Sequence, residues 1–290
     1  MRNFKILTDS CCDIPDILMQ ENDIDFIPFY TCLDGENYLK ERTDITVDDF
    51  YKKILHDENV FAKTSFPSLT EFTNFFRFYL NRGQDILYIS MSSKFSGVFA
   101  SLNGMLDDLK REFPDSNIIF LNSHQISMGE GLLVLEACKA KKFGCNIFET
   151  ADFINATKSE AKLFFTVNTL KYLLKGGRIG KVVAIAGDFF NIKPIIMVEN
   201  GELFPYEKVH GRKKAIDKII KLIAESGNKN DYEYAVVHSC AEEDAYSVID
   251  CLKNSGIKIK FEPIHLGIIV GSHIGPSVLG IARVKKFNKS

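Results

Sequence analysis

Tryptophan is absent from this chain, and no apolar run approaches the roughly 18 residues that a membrane span needs. An excess of one charge is missing as well: 36 Lys and Arg stand against 38 Asp and Glu, for a formal net charge of −2. That balance removes the electrostatic argument for nucleic acid or an anionic membrane as partner. The residues after Met1 lack the long apolar region of a signal peptide, so a cytoplasmic protein without an integral membrane segment is expected. The seven cysteines (Cys11, Cys12, Cys32, Cys138, Cys145, Cys240 and Cys251) contain no Cys-x-x-Cys pair, which argues against a disulfide framework and a zinc knuckle. Adjacent Cys11 and Cys12 are read as buried thiols, with redox activity as the alternative. There is no His-Glu-x-x-His or other metal-ligand spacing, so neither a metal nor a cofactor is expected. Gly176-Gly177-Arg178-Ile179-Gly180-Lys181 has the wrong spacing for a phosphate loop and Val182 where a Ser or Thr should hold magnesium. Gly129-Glu130-Gly131 lacks the third glycine of a dinucleotide fingerprint, and Ser96 is outside any Gly-x-Ser-x-Gly elbow.

What is present is a globular composition, 46% hydrophobic and 26% charged over 290 residues. Phenylalanine is abundant at 24, which suits either core filling or the lining of an oily tunnel. The first half alternates strand and helix patterns. Phe4–Thr8 reads as a buried strand, and Asp13 is placed to cap a helix with Pro15 in its first turn. Asp25–Leu33 is strand-like and Asp34-Gly35 signals a hairpin that leaves the main sheet. Ser68 and Glu71 form a capping box ahead of a Phe-rich helix closed by Gly83. Strands at 85–90 and 117–121, followed by helices at 96–112 and 127–142, imply βαβ units and a parallel sheet. After residue 160 the pattern changes: a strand at 162–167, a hairpin around Asn200-Gly201, a helix over 213–225, strands at 234–238 and 257–262, and a last strand at 278–284. The expected fold is α/β, a doubly wound mostly parallel sheet domain over 1–160 with a small hairpin insert at about 25–45. A smaller α+β C-terminal domain over 161–290 follows, with a ligand between the two.

Three polar clusters end a strand or open a helix: Thr64–Ser68, Ser90–Gly97 and Gly271–Pro276. Ligands of parallel sheets gather at the carboxyl ends of strands, where the second cluster falls. Ser96 and Gly97, at the start of the following helix, offer a hydroxyl and free N–H groups to a carboxylate or phosphate. The alternative is that Ser96 is only an N-cap. His273, in a glycine-flanked loop, is either an anion donor or an ordinary loop histidine. Asp9, ending the first strand, is either catalytic or a turn residue bonded to nearby N–H groups.

Taken in order, the motifs resemble the DegV family of bacterial fatty-acid-binding proteins. They are Ile6–Ser10, Thr64-Ser65-x-Pro67-Ser68, Ser92-Ser93-x-x-Ser96-Gly97, Ser127-x-Gly129-x-Gly131, Leu170-x-Tyr172-Leu173-x-Lys175-Gly176-Gly177-Arg178-Ile179, Lys193-Pro194-Ile195 and Gly271-x-His273-x-Gly275-Pro276. The resemblance covers almost the whole chain and implies a lipid-binding protein, not an enzyme, with no catalytic residue and no metal. It assigns the fatty-acid carboxylate to Thr64, Ser96 and His273, with Gly97 beside them, and puts Arg178 near the entrance or a docking surface. It further implies a partner fatty-acid kinase that makes the acyl phosphate for phospholipid synthesis. The sequence departs from the family at Phe66 (usually Gln), Val98 (Thr), Asn122 (Asp) and Ser277 (Gly). Two other readings are a serine hydrolase or acyltransferase using Ser96 and His273, and a lipid-dependent regulatory interaction module.

Overall fold

The computed structural model describes residues 3–57, 60–185 and 192–288. The chain opens with β1 (Phe4–Asp9), α1 (Asp16–Glu21) and β2 (Ile24–Ile27). A small sheet then forms from β3 (Tyr30–Cys32), β4 (Leu39–Lys40) and, after α2 (Val47–His56), β5 (Lys63–Ser65). Alternation resumes with α3 (Leu69–Leu80), β6 (Asp85–Ser90), α4 (Val98–Glu112), β7 (Ile118–Asn122), α5 (Met128–Lys142) and α6 (Ile147–Thr157). The remainder runs β8 (Lys162–Thr166), α7 (Lys171–Lys175), β9 (Ile192–Glu199), β10 (Glu202–His210), α8 (Arg212–Ala224), β11 (Tyr232–Ser239), α9 (Glu242–Asn254), β12 (Ile264–His265), α10 (Ile268–Ile274) and β13 (Val278–Lys285).

The first sheet has the order β2-β1-β6-β7 and is parallel throughout. Its strands are apolar runs because helices cover them: α3 and α4 form one packed pair, α5 and α6 another. The second sheet, β10-β9-β8-β13-β11-β12, is antiparallel except at β11–β12. Period-two alternation gives it two apolar faces. Phe164, Tyr234, Val236 and Ile281 point to a cluster under α8 and α9. Leu163, Phe165, Val237 and Val278 join the cluster that continues into the parallel sheet. Helix α5 touches strands of both sheets and is buried almost all round, as its lack of a polar face requires. No helix among the described residues is long and apolar enough to cross a membrane.

Several local expectations are corrected. The run from Asp25 to Leu33 is two strands in two sheets, because Pro28 interrupts it and has no N–H to continue a ladder. Asp13 does not cap α1; it sits at φ +53° and its buried carboxylate accepts from the Gly267 N–H. Residues 257–262 form no strand, and the short β12 beside β11 takes that place. His273 is in the last turn of α10, not in a loop. Helix α6, unread in the sequence, begins with a full capping box of Asn146 and Glu149. The hairpin at Asn200-Gly201 has positive φ at both central residues, as its turn type demands. Cys11 and Cys12 are free and buried, and burial pushes both thiols well above their ordinary pKa, which makes them poor nucleophiles.

Close packing makes two helical glycines an informative pair. A methyl at Gly131 would stand 2.5 Å from the Cys12 carbonyl oxygen, whereas nothing lies within 4 Å of one at Gly104. Gly131→Ala is expected to destabilise the fold by about 1–3 kcal/mol, and Gly104→Ala, inside α4, to stabilise it by roughly 0.5–1 kcal/mol. Urea unfolding midpoints at unchanged slope measure both.

Candidate functional site

A cavity of about 210 Å³ lies where the carboxyl ends of the parallel strands meet the second sheet. Phe29, Met91 and Ile126, each just beyond a parallel strand, form one wall. Leu163 and Phe165 from β8 and Val237 from β11 form the opposite wall, and α10 adds Ile269 and Val270. The phenylalanines therefore divide: Phe72, Phe76 and Phe120 pack with Tyr88 as ordinary core, while Phe29, Phe66, Phe95 and Phe165 line the cavity.

Thr64, Ser96, Gly97, Arg178 and His273 all line this one cavity. Strand pairing holds Thr64 in β5 opposite Thr31, and its Oγ1 is 2.7 Å from His273 Nε2. Ser96 and Gly97 precede α4, which starts at Val98 instead of Ser96. The Ser96 hydroxyl accepts the Val98 N–H at 3.3 Å, so its own proton remains available to donate. Arg178 closes the circuit: its Nε donates to the Phe95 carbonyl at 3.2 Å and its Nη1 to the Gly176 carbonyl at 2.7 Å. Gly176 lies directly against the imidazole, for a methyl there would fall 2.3 Å from His273 Nδ1. Gly177, next to it, takes φ +68°. The two glycines of the Lys-Gly-Gly-Arg stretch thus serve different needs, close approach and a left-handed turn.

Burial, together with the nearby Arg178 charge, lowers the His273 pKa to about 4. The ring is neutral at pH 7 and presents one donor and one acceptor. With the proton on Nε2, Thr64 accepts from His273 and its own hydroxyl is free for a ligand oxygen. Among the described residues, His273 does not form the relay of a Ser–His hydrolase with Ser96. Nε2 meets Thr64 rather than Ser96, and Nδ1 is buried without a hydrogen-bond partner among the described residues, where such a relay needs a carboxylate.

Asp9, at the end of β1, accepts from the Cys11 N–H, which is the turn contact, and also from the Tyr88 hydroxyl of the adjacent strand β6 and the Met91 N–H just beyond it. No group of three or more His, Cys, Asp or Glu among the described residues could hold a metal. Among the departures from the family pattern, Phe66 lines the cavity and Ser277 adopts φ +63°, a conformation that explains the glycine expected there. The apolar lining residues were unassigned in the sequence; the inward positions of β8 and β11 were the one signal that could have found them.

Folding keeps the His273 ring neutral between about 4 and its ordinary 6.5, so its contribution to stability is intact above the ordinary value and lost as pH falls through that window. In NMR titration the ring is expected to protonate near pH 4, and Arg178→Ala to move the midpoint upward. A midpoint at the ordinary value in both proteins contradicts this environment.

The DegV family model, whose members are described as uncharacterised, matches residues 3–286. A DegV domain-containing protein of Clostridium perfringens is 30% identical over 284 residues, 97% of each chain. The crystal structure of a stearic acid-binding protein from Eubacterium ventriosum is similar, with a TM-score of 0.92, 27% identity and 98% of each chain covered. DegV from Bacillus subtilis, described as a fatty acid binding protein, superimposes with a TM-score of 0.87 at 25% identity, over 99% of this chain and all of its own. With its fold, its motifs and its relatives in agreement over nearly the full length, this chain belongs to the DegV family.

Proposed function

We propose that this protein is a cytoplasmic carrier that binds one long-chain fatty acid, with the tail in the apolar cavity and the carboxylate held by Thr64, Ser96, the Gly97 N–H and His273, the imidazole acting through the Thr64 hydroxyl that it orients. It presents that carboxylate to a partner fatty-acid kinase, which forms the acyl phosphate used in phospholipid synthesis. The observation that carries the binding step is that two hydroxyls, a neutral imidazole and a helix-start N–H line one otherwise oily cavity, Thr64 and His273 in direct contact. Similar solved structures are described as fatty-acid-binding proteins. The kinase and the phospholipid outcome rest on the family resemblance alone.

The energetics suit such a ligand. Each buried methylene is worth about 0.8 kcal/mol, so a tail of about 14 methylenes gains on the order of 11 kcal/mol before ordering costs. A carboxylate stripped of water loses several kcal/mol unless hydrogen bonds replace its hydration. The tail then supplies affinity and the head-group donors supply position. Arg178, held between the Phe95 and Gly176 carbonyls, lies where it can favour an anion without being bound by it.

A combined Ser96→Ala and Thr64→Ala change removes two hydroxyl donors, each worth about 1.5–3 kcal/mol toward a charged group. Palmitate affinity is expected to fall by at least about a hundredfold, read by titration of the delipidated protein, and near-normal affinity removes the site assignment. In this reading the nucleotide and magnesium belong to the kinase. Mixing the purified chain with ATP, magnesium and palmitate should therefore give no acyl phosphate, and its formation without a partner would refute the carrier role.

A further inference from the structure

Helix α10 carries His273 in its last turn, and it also brings Ile269, Val270 and Ile274 to the cavity. It has only seven residues, about 10 Å of length, and no side chain of its own caps its start. Its orphan N–H groups are satisfied from far away in sequence instead. The Ile268 and Ile269 N–H groups both donate to Glu41 Oε1, the second at 3.1 Å. The Gly267 N–H donates to Asp13 Oδ1 at 3.0 Å. Both carboxyls are buried, Glu41 completely. There is no slack around them: a methyl on Gly267 would fall 2.5 Å from Asp13 and 2.6 Å from Glu41, and one on Gly271 would fall 2.2 Å from the Tyr51 hydroxyl.

We infer that Glu41, assisted by Asp13, is a positioning residue of the binding site: it pins the start of α10 so that His273 and Thr64 are set for the carboxylate before the ligand arrives. This rests on the fatty-acid reading above. Glu41 follows β4 of the small sheet, and Thr64 lies in β5 of the same sheet, so one structural unit holds both ends of α10. Thr31, in the strand between β4 and β5, adds a third tie, its hydroxyl 3.4 Å from that of Ser272. The small sheet is therefore the frame of the head-group site.

What the clamp needs is an acceptor oxygen rather than a charge. Burial raises the Glu41 pKa to about 7, and repulsion from its charge adds to the burial that raises Asp13 to about 8, so near neutrality part of the population is protonated while the accepting oxygen stays in place. The Ser10 hydroxyl, which favours the ionised Glu41, can turn to accept from the amide nitrogen of a glutamine, and Glu41 Oε2 makes no other hydrogen bond among the described residues.

The test compares wild type, Glu41→Ala and Glu41→Gln as full-length, delipidated chains, by palmitate titration and by the NMR signals of the His273 ring. The alanine variant, at a temperature where circular dichroism shows it folded, is expected to bind palmitate about tenfold or more weakly with displaced His273 signals. The glutamine variant should return to within about threefold of wild type. A folded alanine variant with wild-type affinity and unchanged His273 signals overturns the inference, as does a glutamine variant no better than alanine. If wild type itself fails to bind palmitate, the fatty-acid reading falls and the His273 signals alone decide the positioning role. If the alanine variant does not fold, amide exchange in the emptied wild type decides: Ile268 and Ile269 should be protected, and exchange at the rate of an open chain refutes the clamp.

Discussion

Thr64 and His273 are 209 positions apart in sequence, and a 2.7 Å bond joins them at the wall of the cavity. Everything else at the site is arranged around that contact. The small sheet holds Thr64, and α10 holds His273. The Gly176-Gly177-Arg178 turn presses on the far side of the imidazole and reaches across to the loop that carries Ser96 and Gly97. In the proposed reading the underlying constraint is that a carboxylate cannot be buried bare, which calls for donors from several segments beside the oil.

The cavity and the core obey the same rule from opposite sides. Apolar side chains fill the interior closely at Phe72, Phe76, Tyr88 and Phe120, yet leave space between β8, β11 and the ends of the parallel strands. Burial that stabilises the core also tunes the polar groups. It keeps His273 neutral by lowering its pKa, and it raises Asp13 and Glu41. Their effects on stability run in opposite directions: falling pH removes the His273 contribution, and rising pH works against the two carboxyls as they are forced to ionise.

Much of the architecture was legible because local signals and the global fold agree. Asn200-Gly201, the Ser68–Glu71 capping box and the regular spacing of strands and helices through residue 142 each point to one structure. The failures have physical causes. Pro28 splits a run that looks continuous by propensity alone, and Asp13 resembles a helix cap while its true partner is 254 residues away. Helix α10 is hidden by its glycines: Gly271 serves tight packing on Tyr51, and Gly275, at φ +76° against Tyr172, ends the helix. At the site, strand-end positions and motifs picked out the polar residues now found on one cavity, whereas the lining and the Glu41 clamp depend on long-range contacts that no local pattern encodes.

The most direct measurement is native mass spectrometry of the chain as purified from its own source. The account predicts a mass equal to the polypeptide plus one long-chain fatty acid, released as a single carboxylic acid species on denaturation. A bare polypeptide that also takes up no fatty acid when offered one would contradict it.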